Sequence, residues 1–81
     1  MTLTVLLFAS ARDRAGRDAL TVELASGATA AALIQACVAV APSLGPLAPH
    51  LRVAMDHALV APEAAIRDGA ELALLPPVSG G

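Results

Sequence analysis

Ala30 to Ala41 runs without a glycine or proline, and this bounded stretch constrains the fold more than any other. It predicts a helix of about three turns. Thr29 supplies an N-cap oxygen. Pro42 ends the helix near Val40 or Ala41, because the residue before a proline disfavours the α region. Leu33, Cys37 and Val40 share one face at helical spacing, with Ala30 and Ile34 beside them. The alanines around them are good helix formers. A core role for Leu33 implies a cost of about 2–5 kcal/mol on truncation to alanine, a large part of so small a domain's stability.

The remaining apolar stretches read as strands. Thr2 to Phe8 places Leu3, Val5 and Leu7 on one face and Thr4, Leu6 and Phe8 on the other. Both faces are largely apolar, which suggests a central strand. Residues 10–17 are polar, with Ser10 a candidate cap for a single helical turn and Gly16 its closing residue. Leu20, Val22 and Leu24 alternate with Thr21 and Glu23 as a half-buried strand. The short link to the first strand allows an antiparallel pairing but no parallel crossover. Ser26-Gly27 is a turn signal. Pro42 to Pro49 reads as a proline-punctuated surface loop, and Leu51 to Met55 as a third strand. Asp56-His57 makes a tight turn or kink before an extended Ala58-Leu59-Val60. Turns at Pro62-Glu63 and Asp68-Gly69 precede a last strand, Glu71 to Leu75. The order strand, strand, helix, strand, short strand, strand buries most when the helix lies across one face of the sheet. The fold class expected is α+β: a β-grasp, ubiquitin-like roll with a mixed sheet of four to five strands. The last strand lies beside the first in its centre.

Size and composition narrow the function. A chain of 81 residues makes one domain with a modest core and no room for a large enclosed cofactor pocket. With one Phe, no Tyr and no Trp, base stacking is nearly ruled out. The net charge is −2 and no basic stripe appears, so nucleic acid is not an expected partner. Every basic residue is an arginine, which leaves no lysine for a Schiff base or an isopeptide bond. One cysteine excludes an internal disulfide framework and fits a reducing compartment. Ala9-Ser10-Ala11 mimics a signal-peptide cleavage site, but the preceding apolar run is short and no basic residue stands before it. No stretch is long enough to span a bilayer. The expected location is cytoplasmic, with no membrane partner.

The sequence closes on Pro76-Pro77-Val78-Ser79-Gly80-Gly81, directly after Leu72-Ala73-Leu74-Leu75. The prolines end the strand, because they lack the N–H a sheet ladder needs. The glycines carry no Cβ and can thread a narrow slot. From Pro76 to Gly81 the chain reaches at most ~20 Å at about 3.3 Å per residue. The expected organisation is a domain over residues 1–75 and a flexible tail over residues 76–81, with the α-carboxylate of Gly81 as the functional group.

The run from Asp68 to Gly81 resembles the MoaD family of sulfur carriers, the small subunits of molybdopterin synthase. That family closes with an Asp-Gly turn, a hydrophobic strand and Pro-Pro-Val-(Thr or Ser)-Gly-Gly. The apolar strand ending in Phe8-Ala9, the charged turn with Arg12 before Gly16, Thr29 with its helix, and Val53-Ala54-Met55-Asp56-His57 followed by Leu59-Val60 extend the likeness over the whole chain. Leu74 and Leu75 stand where the family often has aromatic residues, and Asp56 where it often has Asn. The resemblance implies that a MoeB-like adenylyltransferase activates Gly81 with ATP. Sulfur then replaces AMP to give a thiocarboxylate. A MoaE-like large subunit, in a heterotetramer, receives the tail Pro76, Pro77, Val78, Ser79, Gly80 and Gly81, and the sulfur passes to cyclic pyranopterin monophosphate. It implies that this chain binds no cofactor and acts as the sulfur-donating, non-catalytic subunit. By position, Phe8, Leu59 and Leu75 are expected in the partner-facing patch, with Arg12 at its rim.

Other groups offer less. No Gly-x-x-x-x-Gly-Lys loop is present to cradle ATP. Cys37 has no His or second Cys near it in sequence and reads as a buried thiol. His50 and His57 make no metal-ligand spacing. Asp68 and Glu71 read as turn and strand-edge residues. Sulfur delivery to thiamin, cysteine or tRNA thiolation, and protein modification through an isopeptide bond, are the alternative functions of the same ending. A plain structural domain is the residual one.

Overall fold

A computed structural model describes residues 1–76 of the chain. Its elements are β1 (Thr2–Leu7), α1 (Ala9–Ala15), β2 (Ala19–Glu23), α2 (Ala30–Val40), a 3-10 segment (Pro42–His50), β3 (Arg52–Met55), β4 (Ala58–Val60) and β5 (Leu72–Leu75). The five strands form one mixed sheet in the order β2-β1-β5-β3-β4. β5 runs parallel to β1 and antiparallel to β3, so the last strand is the centre of the sheet. β1 and β2 pair antiparallel, with Thr2 opposite Glu23 and Leu6 opposite Ala19. The mixed five-stranded sheet crossed by a helix is the α+β arrangement expected of a β-grasp roll.

One face of the sheet is the core. Leu3, Val5 and Leu7 of β1, Leu20 and Val22 of β2, Val53 of β3, and Leu72 and Leu74 of β5 are buried against Ala30, Leu33 and Cys37 of α2. Strict alternation along β1 sends Thr2, Thr4 and Leu6 to the opposite face. Among the described residues no polar or charged side chain is buried.

Helix α2 begins where Thr29 caps it, its hydroxyl accepting from the Ala32 N–H at 3.3 Å. Its first turn is also held from outside. The Ala30 N–H donates to the Ala64 carbonyl at 2.9 Å and the Ala31 N–H to the Pro62 carbonyl at 3.0 Å, which satisfies donors the helix cannot. The Ile66 N–H donates to the Ala28 carbonyl at 2.8 Å, and Ile66 is buried at 3% exposure. Val40, expected on the buried face, is instead 41% exposed. It lies in the last turn, where the chain turns off into the 3-10 segment and Ala41 takes the buried position at 5% exposure.

Two local expectations are corrected. Pro42 to Pro49 is not a plain loop: it winds into 3-10 turns, with Pro42 at the start where a missing N–H costs nothing. The Leu44 N–H donates to the Ala41 carbonyl at 2.9 Å, and Leu44 is fully buried. Nor does Ser10 cap a single turn. Helix α1 starts earlier, at Ala9, with Phe8 in the cap position and no side-chain cap bond. Gly16 does close it, in the left-handed region at φ 73°, its N–H donating to the Arg12 carbonyl at 2.9 Å.

Candidate functional site

The outer face of the sheet carries the candidate site. Residues directly paired across neighbouring strands project from the same face. Leu6 pairs with Ala73, Ala73 with Ala54, and Ala54 with Leu59, so the four form one row across β1, β5, β3 and β4. Two alanines in the middle and a leucine at each end make the row concave. The result is an open depression of about 270 Å³, lined by Leu6, Phe8, Ala54, His57, Glu71, Ala73 and Leu75. Leu6 is 37% exposed, Phe8 44% and Leu59 54%, an unusual run of large apolar side chains in water for so small a domain.

Local backbone geometry explains why Phe8 joins this face. Phe8 stays extended at φ −126° and ψ 154°, so it continues the alternation of β1 and projects beside Leu6. Ala9, at φ 49°, then turns the chain into α1. Leu75 ends β5 opposite Arg52 of β3, on the same outer face, and is half-buried. Pro76, half-buried, follows it. The apolar depression therefore lies against the point where the chain leaves the sheet.

The other end of the depression is polar. Asp56 and His57 form a two-residue hairpin turn at φ 53° and 71°, the left-handed geometry that joins β3 and β4 without splaying them. Asp and His are among the non-glycine residues that enter this region most readily. The turn is fastened to the approach to β5: the Asp56 N–H donates to the Glu71 carbonyl at 2.8 Å, and Asp56 Oδ1 accepts the Glu71 N–H at 3.0 Å. Asp56 Oδ2 pairs with the Arg67 guanidinium. His57 Nε2 stands 3.0 Å from Glu71 Oε2, both side chains more than half exposed. Exposed pairs like these add little stability and serve mainly to fix the rim.

The residues singled out in the sequence divide accordingly. Phe8 and Leu75 line the depression, and Leu59 ends the row next to it. Arg12 is exposed on α1 and lies outside the lining. Pro77, Val78, Ser79, Gly80 and Gly81 lie outside the described residues. Sequence reasoning missed Leu6, Ala54, Ala73, His57 and Glu71 as lining residues. The alternation of β1 already placed Leu6 with Phe8. The alanines gave no signal, because only strand register shows that they meet.

Nothing in the described residues resembles a catalytic centre. Cys37 is fully buried, and desolvation pushes its thiol up to about 11 from 9.0, the opposite of what a nucleophile needs. Among the described residues no group of three or more His, Cys, Asp or Glu could hold a metal ion. None of their helices is long and apolar enough to cross a membrane.

Comparison with known proteins places this geometry among relatives. The ThiS family matches residues 5–81. The chain is 36% identical over 83 residues to a molybdopterin synthase sulfur carrier subunit of Chlamydomonas reinhardtii, covering 100% of both chains. Among solved structures, SAMP1, a small archaeal modifier protein from Haloferax volcanii, matches with a TM-score of 0.85 and 30% identity over 100% of both chains. A chain in the complex of subunits 1 and 2 of molybdopterin-converting factor from Helicobacter pylori 26695 shares the fold, with a TM-score of 0.67 and 21% identity over 100% of both chains.

Proposed function

The chain belongs to the ThiS family, and on that premise we propose that it is the sulfur-carrier small subunit of a molybdopterin synthase. The observation that carries the reading is the full-length match, 36% identical, to a sulfur carrier subunit of that enzyme. The Gly80-Gly81 ending supplies the chemistry. A carboxylate is a poor electrophile, so a MoeB-like adenylyltransferase activates it. A Gly81 carboxylate oxygen attacks the α-phosphorus of ATP, and pyrophosphate leaves. A sulfur nucleophile then adds to the acyl carbon and AMP departs, leaving a thiocarboxylate. The large, MoaE-like subunit takes up the tail, and sulfur passes to cyclic pyranopterin monophosphate. The two subunits assemble as a heterotetramer in the cytoplasm.

This chain's own part is presentation. β5 ends at Leu75, so the tail departs beside the exposed apolar row, and a partner that covers Leu6, Phe8 and Leu59 receives the tail in a fixed place. Desolvating those side chains drives docking. Glycine at the last two positions lets the terminus enter a narrow partner channel.

Intact-protein mass spectrometry tests the reading. After incubation with the adenylyltransferase, ATP and a sulfur source, one oxygen at the C-terminus is replaced by sulfur. An unchanged mass with an authentic partner removes the sulfur-carrier reading. The likeness to SAMP1 favours a second reading, a protein modifier, which predicts a ladder of higher-mass conjugates in cell extract.

A further inference from the structure

The outer face is apolar along its middle row and carries unlike charges at its two ends. At the end where β5 stops, Arg52 stands directly opposite Leu75, so it shares the outer face with Ala54 two residues on. Arg52 is exposed, and neither ion pair among the described residues involves it. At the opposite end Glu71 lines the depression, its side chain 54% exposed, with His57 Nε2 at 3.0 Å from one carboxylate oxygen. Asp56 stands beside Glu71, its own charge paired with Arg67. Glu23, at the far corner on β2, accepts from the Thr2 hydroxyl at 3.3 Å. Glu71 precedes Leu75 by four residues. The two unlike charges therefore project from points separated along the strands by about 13 Å, at about 3.3 Å per residue.

Shape and charge together limit what can cover this face. A cavity of about 150 Å³ holds a benzene-sized group, so an open depression of about 270 Å³ takes one aromatic or two aliphatic side chains. A second copy of the same face is concave over the same two alanines and would leave Ala54 and Ala73 without contacts. The occupant is therefore convex and apolar at its centre. Covering Glu71 takes its carboxylate out of water, a cost recovered only against a paired cation. Covering Arg52 makes the same demand with the sign reversed.

We propose that the large subunit inserts an apolar side chain over Ala54 and Ala73, flanked by a carboxylate against Arg52 and a cationic side chain against Glu71, and that this charge polarity sets the register of docking. The inference rests on the sulfur-carrier reading and adds to it the direction in which the two chains meet. The apolar row alone does not set that direction. Turned end for end, the same apolar contacts would bring like charges together, which opposes docking. Arg52 is thus a positioning residue: it decides on which side of the partner β5 ends. Its planar guanidinium, charged at any working pH, suits bidentate pairing with a carboxylate.

The decisive variant exchanges the two charges, Arg52→Glu together with Glu71→Arg, because it reverses the polarity and leaves the net charge at −2. Isothermal titration of the full chain into the purified large subunit at low salt reads the effect. Each single reversal is expected to weaken binding by about ten-fold, and the exchange by about a hundred-fold or more. Arg14→Glu makes the same charge change as Arg52→Glu on α1, where the Arg14 carbonyl accepts from Ser43 of the 3-10 segment at 2.6 Å. It should bind within about three-fold of wild type. Arg52, Glu71 and Arg14 are all exposed, so urea midpoints near that of wild type are expected for every variant. The milder Arg52→Gln and Glu71→Gln should move affinity in the same direction, by about three-fold or more each. An exchanged variant that binds as tightly as wild type overturns the proposal. So does a loss as large in Arg14→Glu as in Arg52→Glu, or a dimer of the chain alone in sedimentation equilibrium that Arg52→Glu dissociates, which gives the face to a second copy. Failure of the underlying reading shows separately, as wild type with no affinity for the large subunit.

Discussion

Asp56 and Glu71 hold each other through two hydrogen bonds, the Asp56 N–H to the Glu71 carbonyl at 2.8 Å and the Glu71 N–H to Asp56 Oδ1 at 3.0 Å. The pair ties the β3–β4 turn to the start of the central strand and so fixes the polar rim of the outer face. Asp56 also sits at φ 53°, where a Cβ is strained unless the side chain bonds locally. Asp56→Ala is therefore expected to cost about 1–2 kcal/mol, from a lost hydrogen bond in a left-handed turn. Asp56→Asn keeps an acceptor for the Glu71 N–H and loses only the exposed pair with Arg67, so it costs less than about 0.5 kcal/mol. Urea midpoints of the two variants check the order.

Position within α2 decides the cost of truncation there. Leu33 is fully buried and Val40 is 41% exposed, though both fall on the face that the helical period makes apolar. Leu33→Ala is expected to destabilise by about 2–5 kcal/mol, and Val40→Ala by less than about 0.5 kcal/mol. Thermal or urea unfolding of the two single variants measures the contrast.

These two residues also mark how far the sequence could be read. Leu33 was legible because a helix interior repeats its period faithfully. Val40 was not, because a helix's last turn points wherever the following segment leads, and three prolines disguised that segment as a loop. Leu44 and Ile66 were missed as core for the same reason: burial of Leu44 depends on a 3-10 turn and that of Ile66 on the bond its N–H donates to the Ala28 carbonyl, which no local pattern encodes. In the candidate site, the exposed faces of Phe8 and Leu6 follow from alternation. Ala54 and Ala73 become a concave floor only once β5 is threaded between β1 and β3, a long-range register that short strands do not announce.

The outer face predicts a separation of binding from stability. Phe8 lines the depression yet is 44% exposed in the free chain, so removing its ring forfeits little core packing. Phe8→Ala is expected to weaken binding to the proposed large-subunit partner by about ten-fold or more, in the range of an aromatic anchor at the centre of an interface. Its melting temperature should stay within ~3 °C of wild type. Arg12→Ala, outside the depression, should change affinity by less than about three-fold and mainly alter its salt dependence. Isothermal titration calorimetry at two salt concentrations, with a melting curve for each variant, makes the comparison. A Phe8→Ala variant that binds as wild type does would remove the outer face from the docking surface.

Cys37 predicts an alkaline limit to stability. Its thiol titrates at about 11 in the folded chain against 9.0 for an unperturbed one, because burial disfavours the thiolate. The unfolded chain therefore releases this proton first. Between pH 9 and 11 the folded state binds more protons than the unfolded state, so the slope of unfolding free energy against pH is negative. The stabilisation from the buried thiol is intact below pH 9 and is lost as pH rises toward 11, an effect on the order of 2–3 kcal/mol. Urea unfolding across that range should show wild type weakening more steeply than Cys37→Ala, which lacks the titrating group and is destabilised by a constant amount for its lost volume. Labelling gives an independent readout. At neutral pH the native chain should react with a thiol reagent only through unfolding, at a rate that rises with urea, and parallel pH slopes for the two proteins would show that Cys37 is not protected by burial.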